Sequence, residues 1–155
     1  MRNIVGDYMS NYEDLKLDNQ LCFSLYAASR EIIKLYKPIL DKLNLTYTQY
    51  LVMIVLWEEK KLSVKQIGNR LHLDSGTLTP LLKKLEKLNY IKRYRSKDDD
   101  RVVIIELTEE GSTLREKSKD IPSKILCSMN FAEDKVKSLK QQWDDLISNL
   151  NGENN

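Results

Sequence analysis

The sequence predicts a mainly α-helical fold with one small β-hairpin, and three observations support this class. Leucines at spacings of three and four run from Leu78 to Leu88, which is the period of a helix that buries one stripe. Two capping boxes, at 46–49 and 63–66, mark the starts of further helices. The β-branched segment 101–107 follows the strand-like segment 90–95 across a polar turn, as in a hairpin.

The chain opens with a polar, irregular segment, 1–15, which we interpret as a loosely ordered arm. Asp18 is the predicted N-cap of a long helix that is apolar on more than one side. Pro38 is expected to kink or interrupt this helix. A single small core cannot bury so much apolar helix surface, and the pattern therefore suggests a partner helix.

Two consecutive helices follow the capping box that starts at Ser63. The first ends near His72, and the second carries hydroxyl side chains at its start and Lys83 and Lys84 further along. Two helices joined by a short turn form the helix-turn-helix pattern. Hydroxyls and lysines on the second helix suit a DNA major groove. Taken alone, this helix fits an ordinary amphipathic helix with a solvated basic face better than a DNA-binding helix, and the elements on either side of it reverse that preference.

The predicted hairpin completes the pattern. Asn89 is a candidate left-handed C-cap, and strands 90–95 and 101–107 flank the polar turn 96–100. Helix, helix and hairpin in this order make a winged helix-turn-helix with the hairpin as its wing. From Lys83 to Arg101 there are eight basic residues against four acids, whereas the whole chain has a formal net charge of only +2. Any binding of nucleic acid must therefore come from this local patch.

The C-terminal third predicts further helices. Thr108 is expected to cap one of them, Leu114 to enter the core, Pro122 to mark a break, and 132–150 to form the last helix. The terminal helices have more apolar surface than the central core can cover. We therefore expect one domain over 1–155, with dimerisation helices at about 17–45 and 109–150 and a DNA-binding core at about 46–108.

Composition excludes several other classes. The 155 residues contain no apolar run of membrane-spanning length and no secretory signal pattern. Two cysteines do not make a disulfide framework, which favours a reducing cytoplasm. One histidine and two distant cysteines cannot supply a zinc site at a usual spacing. We therefore expect no metal and no cofactor.

Several segments resemble the MarR family of dimeric winged-helix regulators, and within it the organic-hydroperoxide sensor (OhrR) branch. These segments are 17–23, 26–31, 36–38, 45–50, 73–84, 99–101 and 107–108. The resemblance extends from about Leu17 to Ile121, and the Cys22 motif together with 73–80 is specific for the branch. It implies a homodimeric repressor that is released from operator DNA when Cys22 is oxidised by an organic hydroperoxide.

Residue chemistry agrees with a sensing role for Cys22. It lies about one turn beyond Asp18, where the positive end of a helix favours the thiolate, and Tyr26 shares its face. Tyr36 is fourteen residues further on, roughly 21 Å along a straight helix, and can approach Cys22 only from a partner subunit. The resemblance implies that Tyr36 and Tyr47 of the other subunit donate hydrogen bonds to the Cys22 sulfur.

Cys127 leaves two interpretations open. Relatives of the two-cysteine type carry a resolving cysteine in the C-terminal part of the partner subunit, and Cys127 follows Pro122 as that type requires. A resolving thiol would condense with the sulfenic acid of Cys22 to a disulfide. The alternative is a small apolar residue on a helix face, since Ile125 and Leu126 are its neighbours.

We therefore expect a cytoplasmic transcriptional repressor rather than an enzyme. Its partners are double-stranded operator DNA, a second copy of the chain and an organic hydroperoxide, with no membrane. The expected DNA-binding residues are Ser75, Thr77, Thr79, Pro80, Lys83, Lys84, Asp99 and Arg101. One alternative is a MarR-type regulator that responds to a non-covalent aromatic ligand. A thiol peroxidase is the other, although no polar pocket around Cys22 can be recognised in the sequence.

Overall fold

The computed structural model describes residues 12–152, and its helices and strands follow the predicted order. Two 3-10 segments, Tyr12–Leu15 and Leu17–Asn19, precede α1, and a third, Asp41–Leu43, follows it. The α-helices are α1 Leu21–Leu40, α2 Tyr47–Glu59, α3 Val64–Leu71, α4 Ser75–Lys87, α5 Glu109–Ser118, α6 Ile121–Met129 and α7 Glu133–Asn151. The strands are β1 Lys61–Ser63, β2 Ile91–Arg95 and β3 Val103–Leu107.

The N-terminal predictions need three corrections. Most of the expected arm lies outside the described residues, and its last part, Tyr12–Leu15, is a 3-10 helix rather than irregular. Asp18 is not the cap of α1, because it lies in the next 3-10 segment and Gln20 is the N-cap residue. The Gln20 side chain donates to the carbonyls of Asp14 and Lys16, which holds this segment in tight turns. Pro38 does not interrupt α1, which continues to Leu40.

The predicted caps of the later helices are confirmed. Thr46 and Ser63 form complete capping boxes, and Thr108 accepts a hydrogen bond from the backbone N–H of Gly111 at 3.0 Å. His72 ends α3 in the left-handed conformation with φ 52°, and Asn89 follows α4 with φ 58°. Asparagine tolerates this conformation better than most residues, which explains its place after α4.

The sheet has three antiparallel strands in the order β1–β3–β2, so the predicted hairpin gains a third strand. Lys61 pairs with Glu106, and Arg93 pairs with Ile105. Because side chains alternate along a strand, Ile91, Arg93 and Arg95 share one face of the sheet. Ile91 and Ile105 are buried, so this is the face that packs on the helices.

The core lies between α2, α3, α4 and this face of the sheet. Val52, Met53, Leu56, Ile67, Leu78, Leu82, Leu85 and Ile105 are almost fully buried. Leu114 is also buried, as predicted. Gly111 lets the start of α5 approach the hairpin closely, since a Cβ built there would lie 2.1 Å from the Tyr90 carbonyl oxygen. The core therefore fixes the position of α4 relative to the wing.

The first helix contributes almost nothing to this core. Leu40, its last residue, is the only buried residue of α1. The other large apolar side chains of its N-terminal half are exposed: Leu21, Phe23, Leu25 and Tyr26. An apolar face of this length needs a covering surface.

The backbone contacts divide the chain into two compact units, 1–119 and 120–155. The single-domain assignment stays a prediction. In the second unit, α6 buries Ile121 and Ile125, whereas α7 has no buried residue and exposes Trp143, Leu146, Ile147 and Leu150. Pro122 lies at the start of α6, beside the predicted break. None of the helices in 12–152 is both long and apolar enough to cross a lipid bilayer.

Candidate nucleic-acid interface and redox site

The start of α4 is held rigidly by its cap. Asp74 accepts hydrogen bonds from the backbone N–H of Thr77 at 2.9 Å and from the Thr77 hydroxyl at 2.7 Å. The hydroxyl bond and the backbone bonds stabilise the carboxylate and hold the pKa of Asp74 below its usual value. The Thr79 hydroxyl donates to the carbonyl of Ser75 at 2.7 Å. In this conformation Thr77 and Thr79 therefore offer oxygen lone pairs, not protons, to a ligand.

The exposed face of α4 carries the other expected contacts of the helix. Ser75, Pro80, Lys83 and Lys84 are all exposed. The apolar stripe on the opposite side is buried at Leu78, Leu82 and Leu85. The helix thus presents hydroxyls and ammonium groups on the side that the fold leaves open.

The wing tip holds an ordered ion pair. Arg101 Nε lies 3.1 Å and Nη2 lies 3.2 Å from the two carboxylate oxygens of Asp99, which also accepts from the Arg101 backbone N–H at 2.9 Å. The guanidinium keeps the pKa of Asp99 below its usual value. The Arg101 side chain is 91% exposed, so its guanidinium is accessible at the wing tip while Asp99 orients it.

A groove of about 370 Å³ lies between α3, α4 and the wing. Its lining includes three expected residues, Ser75, Thr79 and Arg101. It also includes Lys65 and Arg93, which are not among the DNA-binding residues expected from the sequence. The alternation of Ile91, Arg93 and Arg95 would have placed Arg93 on the inner face of the wing.

The expected sensor residues of one chain lie in two places. Cys22 is the second residue of α1, and its thiol is free and exposed. Tyr26, one turn later, accepts a hydrogen bond from Arg30 Nη1 at 3.0 Å. Because α1 is continuous from Leu21 to Leu40, Tyr36 stays roughly 21 Å along the axis from Cys22. One subunit therefore does not bring Tyr36 to its own Cys22.

Tyr36 and Tyr47, to which the resemblance assigns the same role, lie together in one chain. Their ring centroids are 4.8 Å apart, and the ring of Tyr50 lies 6.0 Å from that of Tyr36. Burial, helped by the neighbouring phenols, raises the pKa of Tyr36 to about 12, and burial also raises the pKa of Tyr47. Both phenols therefore keep their protons near neutral pH and can act as hydrogen-bond donors.

Cys127 lies on α6, and its thiol is free and exposed, whereas Ile121 and Ile125 of the same helix are buried. It is therefore not part of the buried face of its unit. Within 12–152, no cluster of three or more histidine, cysteine or acidic residues could hold a metal ion.

Comparison with known proteins identifies the family of the chain. A family model for the transcriptional regulators SarA/Rot matches residues 34–121. The organic hydroperoxide resistance transcriptional regulator of Bacillus subtilis is 50% identical over 145 residues, which are 94% of this chain and 99% of that protein. The structure of reduced AbfR bound to DNA superposes with a TM-score of 0.73 at 38% identity, covering 89% of this chain and 96% of that one. Disulfide-formed AbfR superposes with a TM-score of 0.62 at 39% identity, covering 87% and 95%.

The fold, the exposed basic helix and these relatives define a winged helix-turn-helix transcriptional regulator, a class without enzymatic activity. The chain belongs to the MarR family of such regulators, in its organic-hydroperoxide sensor branch.

Proposed function

We propose that the protein is a cytoplasmic, homodimeric repressor that leaves its operator DNA when an organic hydroperoxide oxidises Cys22. One observation carries the redox part of this proposal. The exposed thiol of Cys22 lies at the start of α1, whose apolar face is exposed. Fourteen residues later on the same helix, the protonated phenol of Tyr36 packs against that of Tyr47. If two copies of α1 cross antiparallel, each thiol meets the tyrosine pair of the other copy.

The exposed apolar residues of α1 support this pairing. They would be buried between two copies, and hydrophobic burial is the main driving force of such association. The tyrosine hydroxyls of one subunit would then donate to the sulfur of the other and stabilise its thiolate. Tyr26 shares the thiol's face of α1 and would border the same site. Each sensing site would need residues of both subunits.

The reaction needs only the thiolate and the peroxide. The Cys22 thiolate attacks the terminal oxygen of the hydroperoxide, the O–O bond breaks, and an alkoxide leaves and takes up a proton. Cys22 becomes a sulfenic acid. A thiol, either external or that of Cys127 in the partner subunit, then condenses with it to a disulfide and releases water.

The DNA part rests on α4 and the wing. The exposed side chains Ser75, Thr77, Thr79, Pro80, Lys83 and Lys84 would enter the major groove, with two copies one helical turn or a multiple apart. Arg101, directed by Asp99, would reach the adjacent minor groove, where a narrow A·T-rich sequence attracts cations. AbfR, a relative solved on DNA in the reduced state and also solved with a disulfide, provides a precedent for both states.

Fluorescence anisotropy tests the proposal with a labelled duplex that the reduced protein has selected from a random pool. Cumene hydroperoxide should release the wild-type protein, whereas Cys22→Ser should stay bound under the same treatment. Cys127→Ser is the matched control for removal of a thiol and should still respond to the first oxidation. Release of Cys22→Ser by the peroxide would overturn the sensing role of Cys22.

A further inference from the structure

Arg93 occupies an unusual place for a charged residue. It lies on β2, on the face of the sheet that packs on the helices, where its cross-strand neighbour is the buried Ile105. Its side chain is only 21% exposed. It lines the groove with Ser75, Thr79 and Arg101, and also a second groove of about 500 Å³ with Lys83, Lys87 and Arg95. Arg93 thus separates two open clefts at the junction of α4 and the wing.

The guanidinium of Arg93 is poorly satisfied where it lies. Its Nε is buried and has no hydrogen-bond partner among the described residues. Its ion pair joins Nη1 to a Glu86 carboxylate oxygen at 3.7 Å, which is too long for a hydrogen bond. A guanidinium has five N–H donors, and a buried donor without an acceptor is costly. The long ion pair leaves the terminal nitrogens of the guanidinium without a short hydrogen bond, and an incoming group with several acceptor oxygens would supply one.

The charge around Arg93 restricts the chemistry of that group. The two grooves contain six basic side chains, Lys65, Lys83, Lys87, Arg93, Arg95 and Arg101, and one acid, Glu86. A planar guanidinium with fixed donors suits the oxygens of a phosphate. The first cleft borders the start of α4 and the second borders its C-terminal half, and both border the wing, which the proposed function places against DNA.

We propose that Arg93 binds a backbone phosphate of the DNA duplex between the recognition helix and the wing. This inference rests on the proposed DNA binding. Glu86 holds the guanidinium loosely in the free protein, and the phosphate replaces it when DNA arrives. Such a contact adds affinity without reading the base sequence.

Salt dependence distinguishes this role from a structural one. Each phosphate contact contributes about 0.9 to the slope of log affinity against log salt, so loss of Arg93 from both subunits should lower the slope by about 1.8. Between 50 and 200 mM salt, the affinity of Arg93→Gln should therefore change about tenfold less than that of the wild type. The ratio of affinities for the selected duplex and a random duplex should stay the same.

Lys92→Gln is the matched control, because it removes one positive charge from the neighbouring position of the same strand, on the opposite face. It should keep the wild-type slope. Arg93→Lys keeps the charge but loses the forked donors, and should lose affinity while it retains most of the slope. Thermal unfolding of each variant shows whether the fold is intact.

The Arg93 Nε–H resonance in ¹⁵N NMR spectra gives a direct readout, assigned by its absence in Arg93→Lys. It should shift when random duplex is added. An equal shift with inorganic phosphate at the same ionic strength would indicate a free-anion site instead. An unchanged slope for a folded Arg93→Gln, or a loss confined to the selected duplex, would overturn the proposal. If the wild type and Lys92→Gln bind neither duplex, it is the proposed DNA binding that has failed.

Discussion

Gly111→Ala is expected to destabilise the protein at the point where α5 meets the hairpin. The new Cβ would lie 2.1 Å from the Tyr90 carbonyl oxygen and 2.9 Å from a methyl group of Leu107. Real contacts of this kind are not so short, so the start of α5 must withdraw by about 1 Å from a tightly packed neighbour. That movement stretches two hydrogen bonds, from the Trp57 indole to the Gly111 carbonyl at 2.8 Å and from the Gly111 N–H to Thr108 at 3.0 Å.

The magnitude follows from these contacts. Overpacking costs about 1–3 kcal/mol. Each weakened hydrogen bond costs about 0.5–1.5 kcal/mol. Alanine stabilises a helix by roughly 1 kcal/mol relative to glycine, which offsets part of this loss. The net loss in the free energy of unfolding is therefore about 3 kcal/mol, or roughly 6–12 °C in the thermal midpoint for a chain of this size.

Urea unfolding followed by circular dichroism, at one fixed protein concentration, measures this loss. Gly76→Ala is the comparison variant, because its Cβ would meet only a carboxylate oxygen of the Asp74 cap at 2.9 Å and no backbone atom. It should cost at most the loss of that N-cap hydrogen bond, about 1 kcal/mol. If Gly111→Ala unfolds at the same urea concentration as Gly76→Ala, the close approach of α5 to the hairpin is wrong.

Three further predictions concern the sites. Arg101→Ala should weaken binding to the selected duplex at physiological salt but change stability by less than about 1 kcal/mol, because the ion pair with Asp99 is exposed; unaltered affinity would contradict the wing contact. Tyr36→Phe should slow peroxide-induced release from DNA, measured by anisotropy, and a rate equal to wild type would rule out its hydrogen bond to sulfur. Folding raises the pKa of the Tyr36 phenol from its ordinary value of 10.0 to about 12. The contribution of the protonated phenol to the free energy of unfolding is therefore complete below pH 10 and is lost as the pH rises towards 12. Absorbance at 295 nm should accordingly show fewer late-titrating phenols in Tyr36→Phe. Peroxide should give a covalent dimer on non-reducing gels that is absent in Cys127→Ser, whereas no such band in the wild type would mean that the protein works with one cysteine.

The features predicted correctly from the sequence are those with short-range signals. The capping boxes at Thr46 and Ser63 depend on residues three positions apart, so the sequence alone reveals them. The spacing of the leucines in α4 likewise reveals from the sequence alone which face of this helix is buried. The family motif identified Tyr36 and Tyr47, whose rings are neighbours although they lie on different helices; their hydrogen bonds to the Cys22 sulfur stay a prediction.

The features that were missed depend on tertiary contacts. Strand β1 has only three residues, and its pairing with β3 crosses more than forty positions, so no local pattern indicates it. The N-cap of α1 was misplaced because Asp18 has the capping residue type but lies inside a 3-10 turn. The alternation along β2 indicates the face of Arg93, but its position beside both clefts depends on how the wing packs on α4, which no local pattern shows.

Because the apolar face of α1 is exposed in a single chain, we expect the reaction with peroxide to depend on protein concentration. Because α1 packs within its own chain only towards its C-terminal end, at Tyr36 and Leu40, its N-terminal half has little to stabilise it except its own backbone, and isolated helices are marginal in water. In the proposed dimer, the partner chain supplies both the missing burial and the tyrosine donors. Dilution below the dissociation constant would then remove the peroxide response and loosen the helix together. Oxidation rates measured at nanomolar and micromolar protein would differ for a reason unrelated to the reactivity of the thiol itself.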